Sequence, residues 1–358
     1  MGAVGSLFVT AALALLLGIP ERLLPSTVLH PLAELASISA LVLGVVFVLL
    51  PFDLLGGMLI PAAFDRNPPR FAQWLGGWLR SVSVQVVLFV LTLFVYLQIG
   101  REVGTPWLIT LFAVVQLSLL AGQELIWRAM TLNRPVIDVD EETTLVTHSD
   151  PRFAGGVTGL PGFETILVPQ RWADQLESSF LQAVIQRRKL ALQSGVRARG
   201  VLLAITWNLT CFAAAVLISG GRVTTVADVA TVYCWFLLLS FVGLITLPTI
   251  NRSAVVWLDR QAANRSGTAR PLTAAITAVD HLTERDPRRT NRSESIFQPI
   301  PCPERRVRQL RQIPRHRSGF WNVARTTLFL SWAFAGPLSR AVHCNVGRPE
   351  LWAMLPTD

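Results

Sequence analysis

Five apolar runs, at about residues 36–60, 81–99, 106–122, 201–219 and 228–249, are each long enough to cross the roughly 30 Å hydrocarbon core of a bilayer. A soluble domain has no place to bury so many uncharged stretches, so the chain reads as a polytopic membrane protein. Composition agrees: only 15% of residues are charged and the mean hydropathy is +0.46, where a soluble domain carries about a quarter of its residues as charges. A shorter run, Leu7 to Ile19, has no basic residue ahead of it and no small-residue cleavage site. It reads as a first membrane helix, not a signal peptide. The run from Asn322 to Leu338 carries Arg325 near one end, where the side chain can snorkel to the interface. That run either spans the bilayer or lies on it. The expected architecture is mainly α, a membrane bundle of about six to seven spans.

The charges fall between the runs. Arg66, Arg70 and Arg80 lie in the 61–80 connection, whereas the 100–105 and 220–227 connections are short with one arginine each. The positive-inside bias therefore places 61–80 in the cytoplasm. Counting crossings puts the N-terminus and the stretches 123–200 and 250–320 on the same side. The chain then divides into four N-terminal spans (1–122), a first polar segment (123–200), two spans (201–249), a second polar segment (250–320) and a C-terminal segment (321–358).

Within the first polar segment, residues 137–168 have β-type texture with turn signals at Gly155-Gly156 and Leu160-Pro161-Gly162, which predicts a hairpin. From Gln170 onward the spacing of Trp172, Leu176, Phe180, Val184, Arg187 and Leu190 is helical and accommodates two helices. Asp174 and Glu177 come early and Arg187-Arg188-Lys189 late, as the helix dipole favours. The second polar segment is helical through Val256, Leu258, Ala262 and Ala263, then past Gly267 through Leu272, Ala275, Ile276 and Val279. An Arg-rich stretch from Arg285 to Arg317 follows. These two segments predict a small α+β cytoplasmic domain.

Four blocks in this domain resemble the integral-membrane zinc metallopeptidases of the CaaX prenyl protease and heat-shock membrane endopeptidase type. Residues 164–192 resemble the approach to their active-site helix, with Leu181, Ala183, Val184 and Ile185 fitting the apolar run that precedes H-E-x-x-H. Two His at i and i+4 on one helix face grip a Zn²⁺ while the Glu between them acts as general base. Carried onto this chain, the two His positions fall on Arg187 and Ala191, and the Glu position on Arg188. The third-ligand block, Arg-x-x-Glu-x-x-Ala-Asp-x-x-Ala-Ala, matches at Arg252, Asp259, Ala262 and Ala263, with Val255 in place of the ligand Glu. The last block, 294–310, keeps Ser295, Phe297, Pro301, Glu304 or Arg305, Arg306 and Leu310, and puts Ile300 where the family has His. The resemblance implies the scaffold of a peptidase without its zinc ligands.

The histidines agree independently. His30, His148, His281, His316 and His343 include no pair at i,i+3 or i,i+4, so no helical zinc site assembles locally. Cys211, Cys234, Cys302 and Cys344 form no C-x-x-C, and neither a serine-hydrolase elbow nor a phosphate-binding loop is present. The acidic run Asp138, Asp140, Glu141, Glu142 lacks an EF-hand register and reads as a solvated loop. Asp53 and Glu124 lie near the ends of apolar runs, which disfavours an ion pathway. The basic stretch 285–317 has Phe297 as its sole aromatic, which disfavours nucleic acid.

The leading expectation is therefore a catalytically silent relative of the membrane zinc peptidases, a binding, scaffold or regulatory subunit. It has no cofactor; its partners are membrane lipids and another membrane protein or a peptide segment. Glu164, Thr165, Ile166, Leu167 and Val168 would offer a strand edge to an extended peptide. Arg187, Arg188 and Lys189 would form a cationic surface for anionic head groups or an acidic partner, or else simply flank a membrane helix. The alternatives are an active peptidase with displaced ligands, which requires zinc, and a lipid-handling or transport protein.

Overall fold

The computed structural model describes residues 2–64, 69–131, 135–148, 150, 152–283, 298–310, 319–342 and 345–354. Arg66, Ser295, Phe297, His316, His343, Cys344 and most of the 285–317 stretch lie outside them. The chain divides into two compact units: Met1–Thr131, Ile205–Val242 and Leu328–Ala353 form one, and Leu132–Ala204, Gly243–Thr327 and Met354–Asp358 the other.

The first unit is helical. Among the described residues its helices are α1 (Gly2–Leu16), α2 (Ile19–Leu23), α3 (Pro31–Leu54), α4 (Ile60–Ala63), α5 (Phe71–Glu102), α6 (Thr105–Ala121) and α7 (Gln123–Thr131), to which parts of α10 (Val196–Ile218) and α11 (Val226–Arg265) contribute. Among the described residues four helices are long and apolar enough to cross a membrane: Pro31–Ala63, Phe71–Glu102, Val196–Ile218 and Val226–Arg265. A fifth counts if α6 and α7, bent by 62°, form one span.

This corrects the expectation of six to seven spans. The Leu7–Ile19 run is broken by Gly18, which sits in the left-handed region at φ 59°, and by Pro20. What precedes the break, α1, has 15 residues, and at 1.5 Å per residue reaches only about 22 Å. The Asn322–Leu338 run is no span either. Its helix Val323–Leu330 gives way to a 3₁₀ turn at Ser331–Ala333 and then to Gly336-Pro337. Every side chain from Val323 to Ala341 is buried, so the segment is interior. Irregular backbone at membrane depth is tolerated where protein surrounds it.

Side chains from the helices supply what this irregular segment lacks. Trp74 donates to the Gly347 carbonyl at 2.8 Å, Gln123 to the Ala353 carbonyl at 2.8 Å and Trp127 to the Glu350 carbonyl at 3.2 Å. A π-helical turn, Leu55–Leu59, follows α3. Its Gly57 has no room for a side chain, because a Cβ there would stand 2.4 Å from the Gly347 carbonyl oxygen. The last segment thus packs backbone against backbone on the π turn.

The second unit carries a four-stranded sheet with strand order β1-β2-β4-β3: β1 (Pro135–Asp140), β2 (Thr143–Val146), β3 (Gly156–Thr158) and β4 (Thr165–Pro169). Two antiparallel hairpins, β1–β2 and β3–β4, join through a parallel β2–β4 pair. Helices α8 (Gln170–Gln175) and α9 (Ser178–Gln193) pack against β4, and α12 (Arg270–Leu282) packs on α9. Gly267, at φ 68°, ends the α11 segment, and Pro271 restarts the chain as α12. The core draws on Ile166, Val168, Trp172, Val184, Ile185, Leu190, Ala191, Val255, Leu258, Ala275, Ile300 and Trp321.

Candidate functional site

Helix α9 turns three consecutive basic residues in three directions, as a rotation of about 100° per residue requires. Arg187 points to α11 and bonds Asp259, with Nε 2.5 Å from Oδ1. Arg306, on the helix Pro303–Leu310, grips the same carboxylate from another side, with Nε 2.7 Å from Oδ2 and Nη2 2.8 Å from Oδ1. All three groups are buried, Asp259 to 1% exposure. Planar guanidinium forks suit such bidentate, desolvated pairing better than an ammonium would.

Arg188 is equally buried. Its Nη1 donates to the Leu167 carbonyl and its Nη2 to the Ala154 carbonyl, each at 2.7 Å, and its guanidinium lies 5.5 Å from the Trp172 ring centroid. It ties α9 to β4 and to the segment entering β3. Lys189 reaches Asp140 at 2.8 Å and Glu142 at 4.0 Å, at the β1–β2 turn.

Two expectations are thereby corrected. Arg187, Arg188 and Lys189 do not form a shared cationic surface, because the first two are buried and each of the three is engaged separately. Thr165 to Val168 is not an open strand edge. β4 lies inside the sheet, its backbone paired to β2 on one side and β3 on the other. The open edges are β1 and β3. Glu164, just ahead of β4, accepts from the Gly162 amide and pairs with Arg197 at 2.9 Å.

Of the positions where the resemblance places zinc chemistry, Ala191, Val255 and Ile300 share one buried cluster, while Arg187 and Arg188 turn to other partners. Ala191 on α9 and Val255 on α11 belong to one buried cluster, and that cluster includes Ile300, the residue in place of the downstream His. Val255 and Asp259 are one helical turn apart on α11, as are Arg187 and Ala191 on α9, so the Arg187–Asp259 bond continues the seam that Ala191 and Val255 share. Zinc binds through thiolate, imidazole or carboxylate at about 2.0–2.3 Å. Arg187, Arg188, Ala191, Val255 and Ile300 offer none of these, and the nearby carboxylate of Asp259 already receives three charge-assisted bonds. Among the described residues no group of three His, Cys, Asp or Glu could hold a metal ion. The residues present do not fit zinc.

The remaining described histidines do other work. His30 caps α3 by accepting from the Leu32 amide at 3.4 Å. His148 accepts from the Asp150 amide and stacks on Phe153 at 4.3 Å. His281 sits exposed at the end of α12.

Two features escaped the sequence reading. Asp259 and Arg306 appear there as motif matches without roles, although opposite charges in two matching blocks are a signal for a shared buried pair. The second feature is an ion pair in the membrane unit between Arg340 Nη2 and Asp53 Oδ2, at 2.5 Å. Asp53 also accepts from Trp78 Nε1 and the Gly347 amide, each at 2.9 Å, and Arg340 lies 4.4 Å from the Trp352 ring centroid. Both residues are 1% exposed.

No protein-family model and no curated protein matches the sequence. Among solved structures the chain is similar to Ste24p of S. mikatae, with a TM-score of 0.64 over 80% of this chain and 77% of that one, at 12% identity. At that identity the likeness is one of fold: a multi-pass, mainly α membrane protein with a small mixed α+β domain.

Proposed function

We propose that this chain is a membrane-embedded, peptidase-like scaffold that hydrolyses no peptide and acts as a binding or regulatory subunit, with its polar domain in the cytoplasm. The Arg187–Asp259–Arg306 network carries the reading. Metal-assisted hydrolysis needs a bound, acidified water and a base beside it. A guanidinium stays protonated and serves as neither ligand nor base, and Ala191, Val255 and Ile300 close the rest of the place with hydrocarbon. Two arginines on one carboxylate supply positive charge at the point where the resemblance expects a metal, so the domain needs no ion to hold α9 against α11. Membrane lipids and another membrane protein or peptide segment are the partners this reading assigns.

The test is metal content and metal dependence of the whole protein purified in mild detergent. We expect zinc far below one equivalent per chain, a melting temperature unmoved by chelator, and no cleavage of a fluorogenic peptide library with or without added zinc. One tightly held zinc per chain, with chelator lowering the melting temperature, would instead establish the displaced-ligand peptidase.

A further inference from the structure

The β3–β4 hairpin ends in Gly159-Leu160-Pro161-Gly162-Phe163, and its tip presents Phe163 84% exposed beside the exposed Pro161 and the half-buried Leu160. A phenyl ring held out of the fold is the more informative when the loop that holds it is tightly made. This loop is. The Phe163 amide donates to the Leu160 carbonyl at 2.9 Å, and the Gly162 amide donates to Glu164 Oε2 at 2.7 Å. Gly159 and Gly162 take φ of 90° and 92°, and a Cβ on Gly159 would stand 2.3 Å from the Phe163 carbonyl oxygen.

The loop is also tied to a membrane helix. Arg197, buried to 3% exposure, donates from Nη2 to the Gly159 carbonyl at 2.7 Å and from Nη1 to Glu164 at 2.9 Å. It is the second residue of α10, one of the four helices long and apolar enough to span. The tip therefore lies within one arginine side chain of the first turn of a membrane helix. The Glu164 charge is matched by Arg197, and Gly159 to Phe163 carry no charge of their own, so nothing in the tip repels an anionic leaflet. Arg199, exposed on the same turn of α10, favours one.

We infer that the Leu160–Phe163 tip is an interfacial anchor that inserts into the bilayer beside α10. Aromatic rings prefer the boundary between head groups and acyl chains, and a rigid hairpin fixes the depth and tilt of the sheet where a flexible loop would not. The Arg197–Glu164 pair and the Arg197–Gly159 bond transmit that position to the span.

The experiment places p-benzoylphenylalanine at position 163 of the full chain, reconstitutes it in nanodiscs containing anionic phospholipid, irradiates, and identifies adducts by mass spectrometry. Lipid adducts are expected at 163 and not at the control position 141, an exposed residue of the β1–β2 turn. Adducts to protein, or none at either position, would overturn the proposal. A spin label at Phe163→Cys, with the native cysteines replaced, gives a second reading. Collisions with oxygen should exceed those with a water-soluble nickel chelate by several-fold at 163 and the order should reverse at 141. Equal nickel access at the two positions would sink the idea.

Discussion

Asp53 in the membrane unit and Asp259 in the peptidase-like unit are buried to the same degree and are stabilised in opposite ways. Asp259 is surrounded by full charges, two guanidiniums that together over-neutralise it. Asp53 meets one guanidinium, one indole N–H and one backbone amide, and the far face of its arginine rests on Trp352. In the first site the carboxylate is the hub, and its removal takes from two buried cations the acid they share. In the second the pair is balanced and the neutral donors share the load. A buried charge becomes costly mainly when its partner leaves, so the two sites should fail differently.

The sharpest contrast comes from removing the hub. Asp259→Ala removes the carboxylate that Arg187 and Arg306 share, a loss on the order of 3–5 kcal/mol, enough to unfold this unit; thermal melting and limited proteolysis in detergent read it. A change of under about 1 kcal/mol would mean that the network holds little of that unit together. Arg340→Met comes next, at roughly 2–4 kcal/mol, because Trp78 and Gly347 still donate to Asp53. Adding Asp53→Asn should recover part of that loss, and a double-mutant cycle measures the coupling. No recovery would break the balanced-pair picture.

Smaller again is Gly57→Ala, where the new methyl would meet Trp74 Nε1 at 2.2 Å and the Gly347 carbonyl at 2.4 Å; a cost of about 1–3 kcal/mol is expected from overpacking. The smallest effect belongs to a partly exposed pair. Burial disfavours ionisation of Asp140, but the Lys189 ammonium and the Glu142 amide outweigh it and hold the carboxyl below its ordinary range. A depressed folded pKa contributes stability above the unfolded value, which is lost as pH falls through the folded value. Lys189→Ala should therefore cost under about 1 kcal/mol near neutrality. That difference should fade below about pH 4 in melts of the wild type against the variant.

The helices of the polar segments were legible because their pattern is local. Helical spacing from Trp172 to Leu190 and the break at Gly267 follow from short-range sterics, and both reappear as α8, α9, α11 and α12. Arg187, Arg188, Ala191 and Val255 were singled out by the resemblance to the peptidase motifs, and Ala191 on α9 and Val255 on α11 lie in one buried cluster. Strand order was not legible. Thr165 to Val168 has the apolar texture of any strand, and only the parallel pairing with β2 makes it interior. Arg187-Arg188-Lys189 looks in the sequence like one patch, but helix rotation sends the three side chains to an acid, a pair of carbonyls and a turn.

The sequence by itself determined that this chain carries membrane-length apolar runs and has no His pair at i,i+3 or i,i+4, because hydrocarbon length and residue spacing are properties of single segments. Tertiary structure alone decided which apolar runs form helices long enough to span. A run of seventeen or so apolar residues suits lipid and a protein interior equally, and Asn322 to Leu338 went to the interior once Ser331–Ala333 and Gly336-Pro337 broke its helix. It alone decided, too, that Asp53 and Arg340, nearly three hundred residues apart, would answer each other. A buried charge is tolerable only beside its partner, and no local rule names a partner that far along the chain.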